Sequence, residues 1–139
     1  MSRTQHLLIF ACLILVAALS TYTYLDKQNK ATKWYRQAQV NQGAALFADN
    51  CASCHGVKAQ GALNWMQPNE AGIRGAPPLN GSGHAWHHSL DNLIQTTSHG
   101  RGAMPAWQGT LTEAEVVATL AWAQSLWPDK IYQAWLQQN

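Results

Sequence analysis

Two cysteines three positions apart, with a histidine directly after the second, stand in the stretch NCASCHG at residues 50–56. Thiols and an imidazole packed this tightly admit three chemistries: half of a structural zinc site, a redox-active dithiol, or covalent attachment of a haem. Structural zinc takes four ligands, usually with a second Cys or His pair at similar spacing. The other cysteine, Cys12, lies in an apolar N-terminal run and cannot converge on the pair. The histidines at 84, 87, 88 and 99 could complete a set, yet His55 adjoins Cys54 too closely for both to reach one small ion. A thioredoxin-like dithiol opens a helix after a buried strand, at the pole that lowers a thiol pKa. Upstream here is the Ala-rich segment NQGAALFADN, so the pair ends a helix instead. Haem attachment accounts for every element: the thiols of Cys51 and Cys54 add to the two vinyl groups, and His55 reaches the iron.

Such a site calls for a second axial ligand downstream, and GRGAMPAW at 100–107 offers Met104. Pro105 pushes the residue before it out of helix geometry, so Met104 should project from an irregular loop. A lone methionine reads as core filling; beside C-x-x-C-H it reads as the sixth iron ligand.

With C-x-x-C-H early, GAPPLNG in the middle and MPAW late, residues 40–127 resemble a small monohaem class I cytochrome c. The resemblance implies an all-α fold of about three main helices wrapped around one covalent haem c. In that family a backbone carbonyl of the proline loop holds the free N–H of the proximal imidazole. Here that role falls to Pro77 or Pro78, with Pro78 taken as the cofactor contact. Such a bond fixes the ring and raises its basicity.

The stretch SGHAWHHS at 82–89 has no such clear assignment. His84 and His88 would lie one helical turn apart, a spacing that can chelate copper or zinc. One of the cluster could replace Met104 on the iron, or bond a haem propionate together with Trp86. Arg74 and Arg101 are further propionate candidates.

The elements that must position these groups are helical. A first helix is expected over about Val40–Asn50, with Gly43 and Phe47 on one face crossing a last helix at Leu120 and Trp122. Residues 56–88 are rich in Gly and Pro and read as a wrapping loop. Ser89 should cap a short helix bearing Leu90, Leu93, Ile94 and Thr97, with Gly100 as its stop. Thr112 and Glu115 form a capping box. The helix behind them carries Val116, Leu120, Ala123 and Trp127 on one stripe and ends at Pro128. Residues 129–139, with Ile131, Tyr132, Trp135 and Leu136, read as an amphipathic tail that packs on the domain or docks elsewhere.

The chain has 139 residues, 12% of them charged, and a formal net charge of +2. Basic residues are neither numerous nor interleaved with aromatics, which excludes a nucleic-acid partner. Lys27, Lys30, Lys33 and Arg36 crowd a linker at 26–39. The domain beyond, 40–128, is mildly acidic. A domain this small buries a modest fraction of its surface, so without haem the polypeptide should pack poorly.

The run HLLIFACLILVAALSTYTYL at 6–25 has no Asp, Glu, Lys or Arg. It is long enough to span about 30 Å of hydrocarbon, with Tyr22 and Tyr24 placed for an interfacial belt. Residues 1–25 are therefore a transmembrane anchor or an uncleaved signal. Cleavage near Ser20 would instead release a soluble periplasmic protein. The basic linker argues for a cytoplasmic C-terminus, whereas the resemblance implies maturation outside the cytoplasm. The expectation is a bacterial inner-membrane protein with its haem domain on the periplasmic side.

With no nucleophile, carboxylate pair or open metal site, the expected function is one-electron transfer between redox partner proteins, without enzymatic activity. Two alternatives stand beside it. One is a haem enzyme or sensor in which Met104 yields to a small ligand such as peroxide or nitric oxide. The other is metal handling through His84, His87 and His88.

Overall fold

The computed structural model describes residues 2–29 and 33–139, the side chains of 25–29 excepted. The chain divides into two compact units, Met1–Lys33 and Trp34–Asn139.

The first unit is one helix, α1 (Arg3–Asn29). Its large apolar side chains, among them Leu7, Phe10, Leu13 and Leu19, are exposed. Over Arg3–Tyr24 the mean hydropathy reaches 2.1, long and apolar enough to cross a membrane. The hydroxyls of Ser20, Thr21 and Thr23 donate back to the carbonyls of Val16, Ala17 and Ser20. Polar groups are thereby satisfied within the helix, as a hydrocarbon environment requires.

The boundaries around the linker differ from expectation. Helix α1 continues to Asn29 and α2 (Gln37–Asn50) starts three residues before Val40. Residues 30–32 of the basic stretch lie outside the described residues, as do the side chains of 25–29. Trp34 and Tyr35 already belong to the second unit. Trp34 donates its backbone N–H to the Tyr132 hydroxyl at 3.1 Å and its indole N–H to Gln124 Oε1 at 2.6 Å. The Tyr35 ring meets Tyr132 edge-on, at 6.2 Å between centroids.

After α2 come a one-turn helix α3 (Ala52–His55), a long loop with a single 3-10 turn at Ala85–His87, and α4 (Leu90–His99). The chain ends in α5 (Glu113–Ser125) and α6 (Asp129–Gln138). Among the described residues there is no strand, only isolated bridges at Arg101–Met104 and Gln108–Leu111. The unit is all-α, with α2, α4 and α5 as its main helices.

The caps fall where local chemistry places them. Ser89 Oγ accepts from the Asn92 N–H to start α4. Thr112 Oγ1 accepts from the Glu115 N–H, while Glu115 accepts from the Thr112 backbone. Each bond satisfies an amide that the first helical turn leaves without a partner.

Helices α2 and α5 cross at Gly43. A Cβ there would lie 2.5 Å from the Ala118 carbonyl carbon, so only a hydrogen fits. The crossing is thus at Ala118 and Thr119, one turn before the expected Trp122, which meets Phe47 at 4.3 Å between ring centroids. Leu120 instead joins Leu111 and Val116 in a cluster with Leu46, Leu90, Leu93, Ile94 and Trp107. Helix α5 is buried well beyond one stripe, Ala118, Thr119, Ala121 and Gln124 included.

The C-terminal segment is a full helix rather than a loose tail. Helix α6 buries Tyr132 and Trp135, and the Trp135 indole donates to the His88 carbonyl at 2.8 Å. Packing of these two rings outweighs the polar composition of DKIYQAWLQQN because they lie on one face, three residues apart.

Candidate haem site

Cys51 ends α2 by donating its N–H to the Phe47 carbonyl, and its own carbonyl accepts from Cys54 and His55. Helix α3 is this single turn, so both thiols and the imidazole are displayed within residues 51–55. Cys51 is buried, Cys54 exposed, and both are free thiols. Burial pushes the Cys51 thiol up to about 11, with the neighbouring Cys54 adding to the effect. A redox-active dithiol needs the opposite shift. Burial thus disfavours the thiolate at Cys51.

His55 is 6% exposed. Its Nδ1 lies 2.9 Å from the Pro77 carbonyl. A carbonyl can only accept, so Nδ1 carries the hydrogen and Nε2 keeps its lone pair. Burial lowers the pKa of His55, opposed by that hydrogen bond. The ring is neutral at neutral pH, the form that ligates a metal.

The carbonyl is that of Pro77, one of the two prolines expected there. The Gly61 N–H donates to the His55 carbonyl and the Ala62 N–H to the Ala76 carbonyl. The Leu79 N–H reaches back to the Ala59 carbonyl. These bonds align 76–79 beside 59–62 and bring Pro77 onto His55, a register that the dipeptide Pro-Pro does not reveal. Pro78 is buried beside Gly83.

Met104 closes a tight turn in which Arg101 and Met104 exchange both backbone hydrogen bonds, each 3.1 Å. Gly100, at φ +75, leads in, and a Cβ there would lie 2.6 Å from the Met104 carbonyl oxygen. The loop is stitched to the end of α4 by Trp107 N–H to Thr97 and Gln108 N–H to Ser98. Met104 is half-buried on this irregular segment. Next to it along the chain, Trp107 joins the apolar cluster of Leu90, Leu93 and Ile94.

The propionate candidates fare differently. The Trp86 indole N–H donates to the Gly83 carbonyl at 3.0 Å. Arg74 and Arg101 are exposed, without hydrogen-bond or ion-pair partners for their guanidinium groups among the described residues. The three clustered histidines do not converge. His87 lies against Trp86, at 3.7 Å between centroids, while His84 stacks on Trp65 and meets His88. Among the described residues no group of three His, Cys, Asp or Glu side chains could hold a metal ion. Trp65 was missed from the sequence, since an aromatic in a Gly-rich loop carries no periodicity to mark it.

The residues present fit a haem c: two free thiols on one helical turn, a neutral buried imidazole with Nε2 unprotonated, and a thioether on a separate loop. His55 and Met104 would hold the iron, and Cys51 and Cys54 the porphyrin edge.

Comparison with known proteins identifies the family. Residues 38–122 match the family model for cytochrome c oxidase, cbb3-type, subunit III. The cbb3-type cytochrome c oxidase subunit CcoP of Azospirillum sp. (strain B510) is 35% identical over 91 residues, covering 63% of this chain and 29% of that protein. The subunit FixP of Bradyrhizobium sp. (strain ORS 278) is 38% identical over 87 residues, covering 60% of this chain and 26% of that one. The chain thus spans less than a third of the length of these curated relatives. Cytochrome CL from Methylophaga aminisulfidivorans MPT is a solved structure with 24% identity and a TM-score of 0.47, covering 64% of this chain and 53% of that one.

Proposed function

Because the chain belongs to the family of cytochrome c oxidase, cbb3-type, subunit III, we propose that it is a membrane-held electron carrier with one covalent haem c. The observation that carries this reading is the pairing of free Cys51 and Cys54 thiols with a neutral His55 fixed by Pro77.

When bound, haem c supplies a one-electron ferric/ferrous couple, and a thioether ligand favours the ferrous form. The chain's own residues do the rest. Cys51 and Cys54 fix the group by two bonds, so that it cannot dissociate. The Pro77 carbonyl holds the His55 ring in one orientation and raises the basicity of Nε2. Met104 would be the second protein ligand to the iron, and a thioether beside an imidazole suits a carrier rather than an enzyme. Phe47, Ala59 and Trp122 pack with Cys51 and give that side of the site an apolar wall.

Helix α1 serves as the anchor, with the second unit on the periplasmic side of a bacterial inner membrane. The relatives are named as subunits of an oxidase; by analogy this chain relays electrons to or within such a respiratory complex.

The test begins with the protein produced alongside a cytochrome c maturation system. Haem should stay on the polypeptide through acid–acetone extraction, and either Cys51→Ala or Cys54→Ala should reduce that retention. The ferric protein should show the weak far-red charge-transfer absorption of a thioether–iron bond, lost in Met104→Ala. Full extraction of haem from the wild type would overturn the covalent reading. A spectrum indifferent to Met104→Ala would remove that residue from the iron.

A further inference from the structure

We propose that His84 and His88 form a two-imidazole surface site for a tetrahedral divalent cation, zinc(II) foremost, distinct from the iron ligands. Their ring centroids are 5.4 Å apart with planes at 70°. A zinc–nitrogen bond is about 2.0–2.1 Å. Adding roughly 1.1 Å from nitrogen to ring centre puts each centroid about 3.2 Å from the ion, hence about 5.2 Å from its neighbour at a tetrahedral angle. Adjacent corners of a square plane would place them about 4.5 Å apart. The observed spacing therefore fits the tetrahedral ion better than square-planar copper(II).

The His84 ring and the His88 backbone are held before any ion arrives. His84 stacks on Trp65, 5.3 Å between centroids and 8° from parallel, which fixes its plane. The single 3-10 turn at Ala85–His87 sets the separation. At its end the His88 N–H donates to the Ala85 carbonyl, and the His88 carbonyl accepts from the Trp135 indole. The ring nitrogens of His84 and His88 have no hydrogen-bond partner among the described residues, whereas those of His55 and His99 do.

Zinc needs neutral imidazole. Burial lowers the pKa of His84, with His88, His87 and Arg101 acting in the same direction, which favours the neutral ligating form. No carboxylate contributes to that field, and Arg101 opposes a cation. With two protein ligands and a like charge nearby, binding belongs in the micromolar range, with water or chloride filling the remaining positions. His87 stands apart from the pair: its ring lies against Trp86 and not against His84 or His88.

The test uses the full-length, haem-loaded protein in detergent, titrated calorimetrically with zinc chloride near neutral pH. One zinc per chain is expected. Loss of an outer partner of a metal ligand costs 10–100-fold in affinity, so losing a ligand itself should cost at least about tenfold. His84→Ala and His88→Ala should each show that loss, His87→Ala none, and Arg101→Gln should tighten binding. Absence of stoichiometric zinc in the wild type, or binding that survives the double variant, overturns the site. So does a His84→Ala variant that shifts the haem spectrum and midpoint while the wild type takes no zinc, which would assign the pair to the haem pocket. Haem retention is read independently, so failure here leaves the electron-transfer reading intact.

Discussion

Gly43→Ala adds one carbon at the point where α2 crosses α5. Its Cβ would lie 2.5 Å from the Ala118 carbonyl carbon and 3.0 Å from the Thr119 nitrogen, and nearer still to the Ala118 oxygen. Carbon atoms sit comfortably at about 3.5–4.0 Å, so the helices must part by roughly 1 Å. All three atoms are helix backbone and none can rotate away. The separation also loosens the packing of Phe47 on Trp122. Overpacking of this kind costs about 1–3 kcal/mol, occasionally more; the absence of a rotatable neighbour puts this site at or beyond the upper end. Against it stands a helix-propensity gain of about 1 kcal/mol for Ala over Gly. The net loss is about 2–3 kcal/mol, or on the order of 10–20 °C in Tm for a unit of this size. Thermal unfolding of the holo-protein by far-UV circular dichroism reads it. Ala45→Gly, at an exposed position of the same helix, isolates propensity and should cost only about 1 kcal/mol. If Gly43→Ala melts at or above the wild type, the close approach of the two helices is wrong.

Other perturbations have equally definite signs. Trp34→Phe removes the donor to Gln124 Oε1, whose Nε2 already lacks a partner; leaving the whole buried amide unsatisfied should cost about 1–3 kcal/mol in urea denaturation. Tyr35 is pushed up to about 12 from 10.0, by burial first and then by Tyr132 and Asp129. Its folded-state pKa exceeds the unfolded one, so stability is full below pH 10 and declines as pH rises toward 12. Tyr35→Phe should flatten that alkaline limb, and an unchanged slope would contradict the burial of the hydroxyl. Bonds from the Thr112 backbone and hydroxyl hold the Glu115 carboxyl below its ordinary value. That contribution is present above the unfolded pKa and lost as pH falls through the folded one, so Glu115→Gln should lose less stability than the wild type on acidification. Phe47→Ala empties the centre of the α2–α5 contact and should cost about 3–5 kcal/mol, with less haem retained during maturation.

Much of this protein is local, and local chemistry is written in short words. C-x-x-C-H needs only one turn of helix to display its donors, so its reading survives any rearrangement elsewhere. Ser89, Gly100, Thr112 with Glu115, and Pro128 mark helix ends because a cap bonds to amides within three or four residues of itself. The uncharged run at 6–25 declares its helix by composition alone. What those residues could not declare is which groups from distant segments meet. Pro77 rather than Pro78 holds His55 because backbone bonds between 59–62 and 76–79 set the register. His84 stacks on Trp65 and His87 lies against Trp86, contacts between aromatic rings that the spacing of the histidines did not reveal. Trp34 and Tyr35 leave the linker for the domain because Gln124 and Tyr132, some ninety residues later, present the bonds that a buried indole and amide require. Donor identity was legible because covalent and ligand chemistry depends on residue type and near-neighbour spacing. Partner choice belonged to the tertiary structure, because buried polar groups and close-packed rings are satisfied in space, without regard to distance along the chain.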